Sequence, residues 1–271
     1  MTIIEAIIYG IIQGVSEFLP VSSSGHLALL PWVMKINDPG VVFDLMMHLG
    51  TAMAVLLYFR NDIKKYLFTL NPKILDKNYS HPDYNFSRNF IISTIASVIL
   101  ILVLIPLSKM ARDPWFIIAN LSVFGGLLWW ADVYNKKNAQ VDAPMEKSLN
   151  LKFAIIIGLA QAIAIFPGVS RSGITLTAAL LLGMRRKEAG SYSFLLSLPI
   201  ILAGILKEIP DLMKSNDGQS LAVLISGVVS SFLVGWLTIH FFMKLIGTIQ
   251  LKYFAIYRWI VAALIFFTLM Y

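Results

Sequence analysis

Apolar residues come in long blocks here, separated by short polar breaks. Six blocks reach the about 20 residues that a membrane-crossing helix needs: 41–59, 89–107, 115–133, 192–209, 221–243 and 253–271. Four more are shorter, at 2–15, 25–34, 152–166 and 173–184. Apolar stretches of about 10–14 residues suit re-entrant or buried helices better than spans. The four form two pairs, each broken by a polar turn that contains proline. This pattern predicts an all-α integral membrane protein with six transmembrane helices and two re-entrant helical hairpins.

The two broken pairs align with each other at an offset of 148. Gly10 meets Gly158, Gln13 meets Gln161, Phe18 meets Phe166 and Val21 meets Val169. Ser22 meets Ser170, Ser24 meets Ser172 and Gly25 meets Gly173. The order of elements repeats as well: a broken short pair, then three long blocks. The chain reads as one membrane domain made of two halves, about 1–135 and 150–271. Three crossings per half is an odd number, so the second half enters the membrane upside down. That is an inverted-topology repeat, an architecture that places binding sites near the midplane between broken helices.

Charge supplies the orientation. Fifteen of the 22 Lys and Arg fall in the segments 60–88, 135–152, 185–191 and 244–252, and five fall on the other side. The excess marks the cytoplasmic face. Both termini are then expected outside, the first re-entrant pair opens outward and the second inward. The 60–88 segment reads as a long cytoplasmic linker. On that side the patterns Asn78-Tyr79-Ser80 and Asn85-Phe86-Ser87 carry no weight as glycosylation sites. The net charge of +7 lies between apolar blocks, so topology explains it and nucleic acid is not an expected partner. The N-terminus has Glu5 and no basic region or cleavage pattern, so it reads as mature structure and not as a signal peptide. With no Cys, thiolate chemistry and disulfides are excluded.

The polar breaks carry the chemistry. The first runs Gln13-Gly14-Val15-Ser16-Glu17-Phe18-Leu19-Pro20-Val21-Ser22-Ser23-Ser24-Gly25-His26, and the second Phe166-Pro167-Gly168-Val169-Ser170-Arg171-Ser172-Gly173-Ile174-Thr175. Each places hydroxyls and glycines at the start of a short helix, where free N–H groups and the positive dipole end favour anions. Arg171 adds a planar fork suited to phosphate oxygens. Charged groups at membrane depth cost at least about 2.5 kcal/mol and tend to be functional. An internal ion pair with Glu17 is the bland alternative for Arg171. Glu17 could hold Mg²⁺ or act as a base, His26 could act as acid or base, and Arg171 could offset charge on a transferred phosphoryl group. Asp44 and His48, one turn apart, either line the cavity or pair with each other. Arg258 is expected to snorkel to the interface. A membrane-embedded phosphatase of lipid diphosphates fits these features. An alternating-access transporter or flippase for a polyprenyl phosphate lipid is the alternative, since inverted repeats are common in transporters.

These motifs resemble those of the bacterial undecaprenyl-diphosphatase family, the bacitracin-resistance proteins. The family pattern (E/Q)xxxE followed by FLPVSSxGH corresponds to Gln13–Glu17 and Phe18–His26. PGxSRSxxT corresponds to Pro167–Thr175, and Phe254–Arg258 (FAIYR) is similar as well. The resemblance covers essentially the whole chain. It implies removal of the terminal phosphate of undecaprenyl diphosphate at the bacterial plasma membrane, supported by Mg²⁺ or Ca²⁺, in a homodimer. Glu17, Ser23, His26 and Arg171 are the implied catalytic residues, with Ser23 as nucleophile. Ser22, Ser24, Ser170, Arg171, Ser172 and Thr175 are the implied phosphate ligands. Glu17 is the implied metal residue, with Gln13 nearby. Many members carry Glu at the position of Gln13. Gln brings no charge to a cation, which favours Glu17 plus substrate oxygens as ligands. A covalent phosphoserine and direct attack by water both remain open.

Overall fold

The computed structural model describes all residues except 35, 37, 71–81, 109–112, 139–144, 215–219 and 271. The described residues are helical, with no strand among them. The helices are α1 (Ile3–Ser16), α2 (Ser23–Met34), α3 (Gly40–Tyr58), α4 (Arg60–Thr69), α5 (Pro82–Ser108) and α6 (Pro114–Asn138). Then follow α7 (Leu151–Ala162), α8 (Arg171–Leu181), α9 (Arg186–Lys214), α10 (Leu221–Leu245) and α11 (Lys252–Met270). Five of them are long and apolar enough to cross a membrane, and α3 with α4 makes a sixth if the bent pair counts as one span. The chain is therefore an all-α integral membrane protein.

Local chemistry sets where these helices begin. Thr2 and Glu5 form a capping box on α1, which accounts for an acidic residue so early in an apolar segment. The side chain of Asn150 caps α7 and that of Ser220 caps α10. Proline opens α5 and α6, where its missing N–H costs nothing. At 14 residues, α1 is about 21 Å long and too short to cross a core of about 30 Å. Even so, Ile3, Ile4, Ile7, Ile8, Ile11 and Val15 are exposed along it, which suits contact with lipid tails.

Inside a bilayer, helices associate through close backbone packing more than through hydrophobic burial. Small residues provide it here. A Cβ on Gly10 would lie 1.9 Å from Ser230 Oγ and 2.4 Å from the Gly227 carbonyl oxygen, both on α10. On Gly14 it would lie 2.8 Å from the Gly235 nitrogen. The position equivalent to Gly10, Gly158 on α7, meets α5 in the same way, 2.3 Å from the Ser93 carbonyl oxygen. Thus α1 packs along α10 and α7 along α5, so that each short helix rests on the opposite half of the chain.

The 60–88 segment departs from the expected linker. α3 turns by 76° into α4, and α5 already begins at Pro82. α4 is amphipathic: Tyr66 packs on Phe86 with ring centroids 4.2 Å apart, while Leu67 and Phe68 stay exposed. Lys65 bridges Asp83 at 2.8 Å and Glu146 at 2.9 Å. Among the described residues the mixed charge at 60–69 lies on a helix, and 71–81 of the expected linker lie outside the described residues. Asn85-Phe86-Ser87 lies within α5 with Ser87 buried, whereas Asn78-Tyr79-Ser80 lies outside the described residues.

Substituting Leu at Gly10 or Gly158 forces helices apart. Each should cost at least about 1–3 kcal/mol, read as a lower melting temperature in detergent. Gly247→Ala, with nothing within 4 Å of the added atom, should leave melting unchanged.

Candidate active site

The two polar breaks fold alike. α1 ends at Ser16, Glu17 is its C-cap, and α2 begins at Ser23. α7 runs into a 3₁₀ turn at Ile163–Ile165, and α8 begins at Arg171. Before each second helix stands a serine with positive φ: Ser22 at 74° and Ser170 at 72°. They are the only such non-glycine residues among those described, and they are the pair that aligns in the sequence. A conformation of this kind costs about 1–3 kcal/mol and clusters at functional sites. Ser22 Oγ accepts from the Gly25 N–H at 3.4 Å and Ser170 Oγ from the Gly173 N–H at 3.2 Å. Each also meets the hydroxyl two residues on, Ser24 or Ser172, at 3.3 Å. Both breaks therefore present a serine cluster over a helix N-terminus.

Glu17 joins them. It is 5% exposed, and its Oε1 accepts from Arg171 Nη2. Its Oε2 accepts from Ser23 Oγ at 2.7 Å and from Gln13 Nε2 at 3.1 Å. A second tie runs from Ser172 Oγ to the Leu19 carbonyl at 3.1 Å. Arg171 Nη1 also donates to the Ser193 carbonyl at 3.4 Å, and Thr175 Oγ1 hydrogen-bonds with Ser193 Oγ and donates to the Arg171 carbonyl at 2.8 Å. So Glu17, Ser23, Arg171, Ser172 and Thr175 come together, and the ion pair between Glu17 and Arg171 exists.

The histidines divide differently from the sequence expectation. His48 Nε2 lies 3.5 Å from Glu17 Oε2, while its Nδ1 donates to the Asp44 carbonyl at 2.7 Å. His26 turns the other way. Its Nδ1 donates to the Ser22 carbonyl at 2.8 Å, and the Tyr257 hydroxyl donates to its Nε2 at 2.7 Å. The two rings stack 5.6 Å apart. His26 and Tyr257 line an apolar cavity of about 1130 Å³ between α1, α2 and α11, walled by residues such as Leu19, Leu29, Val261 and Leu264. Ser193 is the site residue that sequence reading missed, while His48, which that reading set either in the cavity or beside Asp44, stands next to Glu17. A histidine inside an apolar block was the signal for His48. Arg258 does not snorkel: it is 0% exposed, because α11 packs on α6 and encloses the side chain.

The sequence model described as Bacitracin resistance protein BacA matches residues 6–264. The chain belongs to the BacA family. An undecaprenyl-diphosphatase of Moorella thermoacetica is 39% identical over 98% of this chain and 97% of its own length. One from Alteromonas mediterranea is 39% identical over 95% of each chain. Undecaprenyl-diphosphatase 1 of Pseudoalteromonas translucida is 39% identical over 99% of this chain and all of its own.

For this BacA-family site, divalent-cation binding can be weighed from the donors present. No group of three or more acidic or histidine side chains that could hold a metal occurs among the described residues. Two oxygen donors are at hand: the Glu17 carboxylate, and Gln13 Oε1, buried without a hydrogen-bond partner. That set fits a hard cation completed by substrate phosphates, as Mg²⁺ sites commonly are.

Breaking a buried ion pair costs about 3–5 kcal/mol, because one charge is left behind. Arg171→Met should therefore lower the melting temperature markedly. The double variant Glu17→Gln/Arg171→Met should recover part of that loss, since neither charge is then stranded. Melting in detergent checks both.

Proposed function

We propose that this chain is a hydrolase that removes the terminal phosphate of undecaprenyl diphosphate and yields undecaprenyl phosphate, the lipid carrier for cell-wall synthesis. The observation that carries the reading is the contact of Ser23 Oγ with Glu17 Oε2, held opposite Arg171, in a hairpin whose neighbouring residues Leu19, Gly25 and His26 line a large apolar cavity. The names of the curated relatives point the same way. A carrier needs binding alone, and a hydroxyl bonded to a buried carboxylate is more than binding requires. The transporter alternative is therefore not favoured.

In this reading the diphosphate lies over the serine clusters. Ser22, Ser24, Ser170, Ser172 and Thr175, with the N-terminal N–H groups of α2 and α8, hold its oxygens. Arg171 turns to the terminal phosphate and stabilises the charge that develops there. Glu17 takes the proton of the attacking oxygen, either Ser23 Oγ or a water in its place. The new P–O bond forms as the bond from the terminal phosphorus to the bridging oxygen breaks, and undecaprenyl phosphate leaves. His26, once protonated, gives the Nε2 proton to that leaving oxygen in place of its contact with Tyr257, while Nδ1 stays on the Ser22 carbonyl. A phosphoserine, if formed, is then hydrolysed: His26, now neutral, takes a proton from the attacking water, and Glu17 returns its proton to Ser23 Oγ as the phosphorus–Oγ bond breaks. A Mg²⁺ or Ca²⁺ ion held by Glu17, Gln13 and substrate oxygens would supply further charge neutralisation. The cavity exceeds the about 300–1,000 Å³ of ordinary ligand pockets. It accommodates the first part of a polyprenyl tail, and the remainder extends into lipid.

The wider setting belongs to the same proposal. The chain sits in the bacterial plasma membrane with both termini outside and works as a homodimer. Its halves, about 1–135 and 150–271, form an inverted repeat with two re-entrant hairpins. The matching strain at Ser22 and Ser170, and the matching contacts of Gly10 and Gly158, support that division.

The purified protein in detergent should release phosphate from undecaprenyl diphosphate, faster with Mg²⁺ or Ca²⁺ than after chelation. Glu17→Gln and Ser23→Ala should lower kcat/KM by about 10²–10⁴-fold; near-normal rates in both would overturn the assignment. Leu264→Trp, which fills part of the cavity, should raise KM for undecaprenyl diphosphate more than for farnesyl diphosphate.

A further inference from the structure

Arg258 is the bulkiest fully buried side chain among the described residues, and the mechanism above makes no use of it. It stands on α11, far along the chain from both motifs. Nε donates to the Leu121 carbonyl at 3.2 Å. Nη2 reaches the carbonyls of Gly168 at 2.7 Å, Val169 at 3.0 Å and Asn120 at 3.2 Å. Nη1 is buried with no hydrogen-bond partner. A Cβ on Gly173 would lie 3.1 Å from that Nη1 and 3.1 Å from Ser170 Oγ. The guanidinium thus lies against the first turn of α8, in space that a motif glycine leaves free.

We propose that Arg258 is a positioning residue for the phosphate cradle, holding the Pro167–Ser170 segment in the path that presents Ser170, Arg171 and the N–H groups of α8. The proposal rests on the phosphatase reading. Gly168 has φ 89° and Ser170 has φ 72°, so the chain turns twice within three residues and aims carbonyls into the protein. Buried carbonyls need donors. The fork of Arg258 supplies them to Gly168 and Val169 together and ties both to α6 through Asn120 and Leu121. Asn120 Nδ2 adds a bond to the Pro167 carbonyl at 2.7 Å. A lysine offers a point charge and not a planar fork, so it cannot span the loop and α6 at once. Among the described residues the hydrogen-bond partners of this guanidinium are all carbonyls, whereas Arg171 faces a carboxylate. Arg258 therefore also leaves an unneutralised positive charge behind the cradle, of the sign that a diphosphate requires.

The test compares full-length wild type, Arg258→Ala and Arg258→Lys in detergent. It measures kcat and KM for undecaprenyl diphosphate, inhibition by inorganic pyrophosphate, and melting. Arg258→Ala should lose about 100-fold in kcat/KM, the scale of a 1 Å misplacement, and should be inhibited less by pyrophosphate. Millimolar guanidinium should restore part of both in Arg258→Ala. Arg258→Lys should fold, yet should fall well short of wild-type pyrophosphate inhibition. A folded Arg258→Ala with wild-type kcat/KM overturns the proposal. So does loss of activity in both variants that only tracks loss of folded protein, with no recovery in guanidinium. A wild type that releases no phosphate would overturn the phosphatase reading instead.

Discussion

One buried carboxylate holds this site together. Glu17 sits at the end of α1, and every hydrogen-bond donor that reaches it serves a second purpose. Arg171 comes from the other half of the chain, Ser23 from the next helix, and Gln13 from the preceding turn. Taking a charge of this kind out of water is costly unless it is paired and hydrogen-bonded. The protein meets that cost by bringing together the groups a phosphoryl-transfer site needs. The requirement for a partner explains why two segments 154 residues apart must meet. It also explains why the helices around them must pack closely enough to keep water and lipid out.

That packing follows from small residues. Gly10, Gly14 and Gly158 let the short helices touch the backbones of α10 and α5. In lipid, where apolar surface has little reason to leave one neighbour for another, such contact supplies much of the association. The serines stand at the breaks between the short helices for a physical reason. An exposed helix terminus in a bilayer carries unsatisfied N–H groups, and hydroxyls and an anionic substrate are two ways to satisfy them. The positive φ at Ser22 and Ser170 goes with a side chain turned back onto that helix start, where each Oγ accepts from an N–H of the first turn, Gly25 or Gly173.

Much of this was legible in the sequence. Polar residues inside apolar blocks stand out, so Glu17 and Arg171 were legible from their setting, whereas Ser23, Ser172 and Thr175 were singled out by the motif resemblance. The repeat marked Ser22 and Ser170 as a pair before their shared φ was seen. Three readings needed coordinates, each for a stated reason. His48 lies within a spanning block, and periodicity shows its face without showing what packs there; Glu17 does. Arg258 near the start of the last span looked like a snorkelling residue, because position along a helix gives no account of neighbours, and α6 encloses it. The 60–88 segment read as a linker because charge and length were the only cues. Arg60, Asp62, Lys64 and Lys65 instead belong to the helix α4, which packs Tyr66 against Phe86.

The central claim is that Glu17 and Arg171, one from each half, act as a single unit on the substrate. A kinetic double-variant cycle tests it most directly: kcat/KM for undecaprenyl diphosphate in wild type, Glu17→Gln, Arg171→Met and the combination. Residues that act as one unit are strongly non-additive, so the combined variant should be little slower than the slower single one. Losses that multiply, as for two independent residues, would contradict the account.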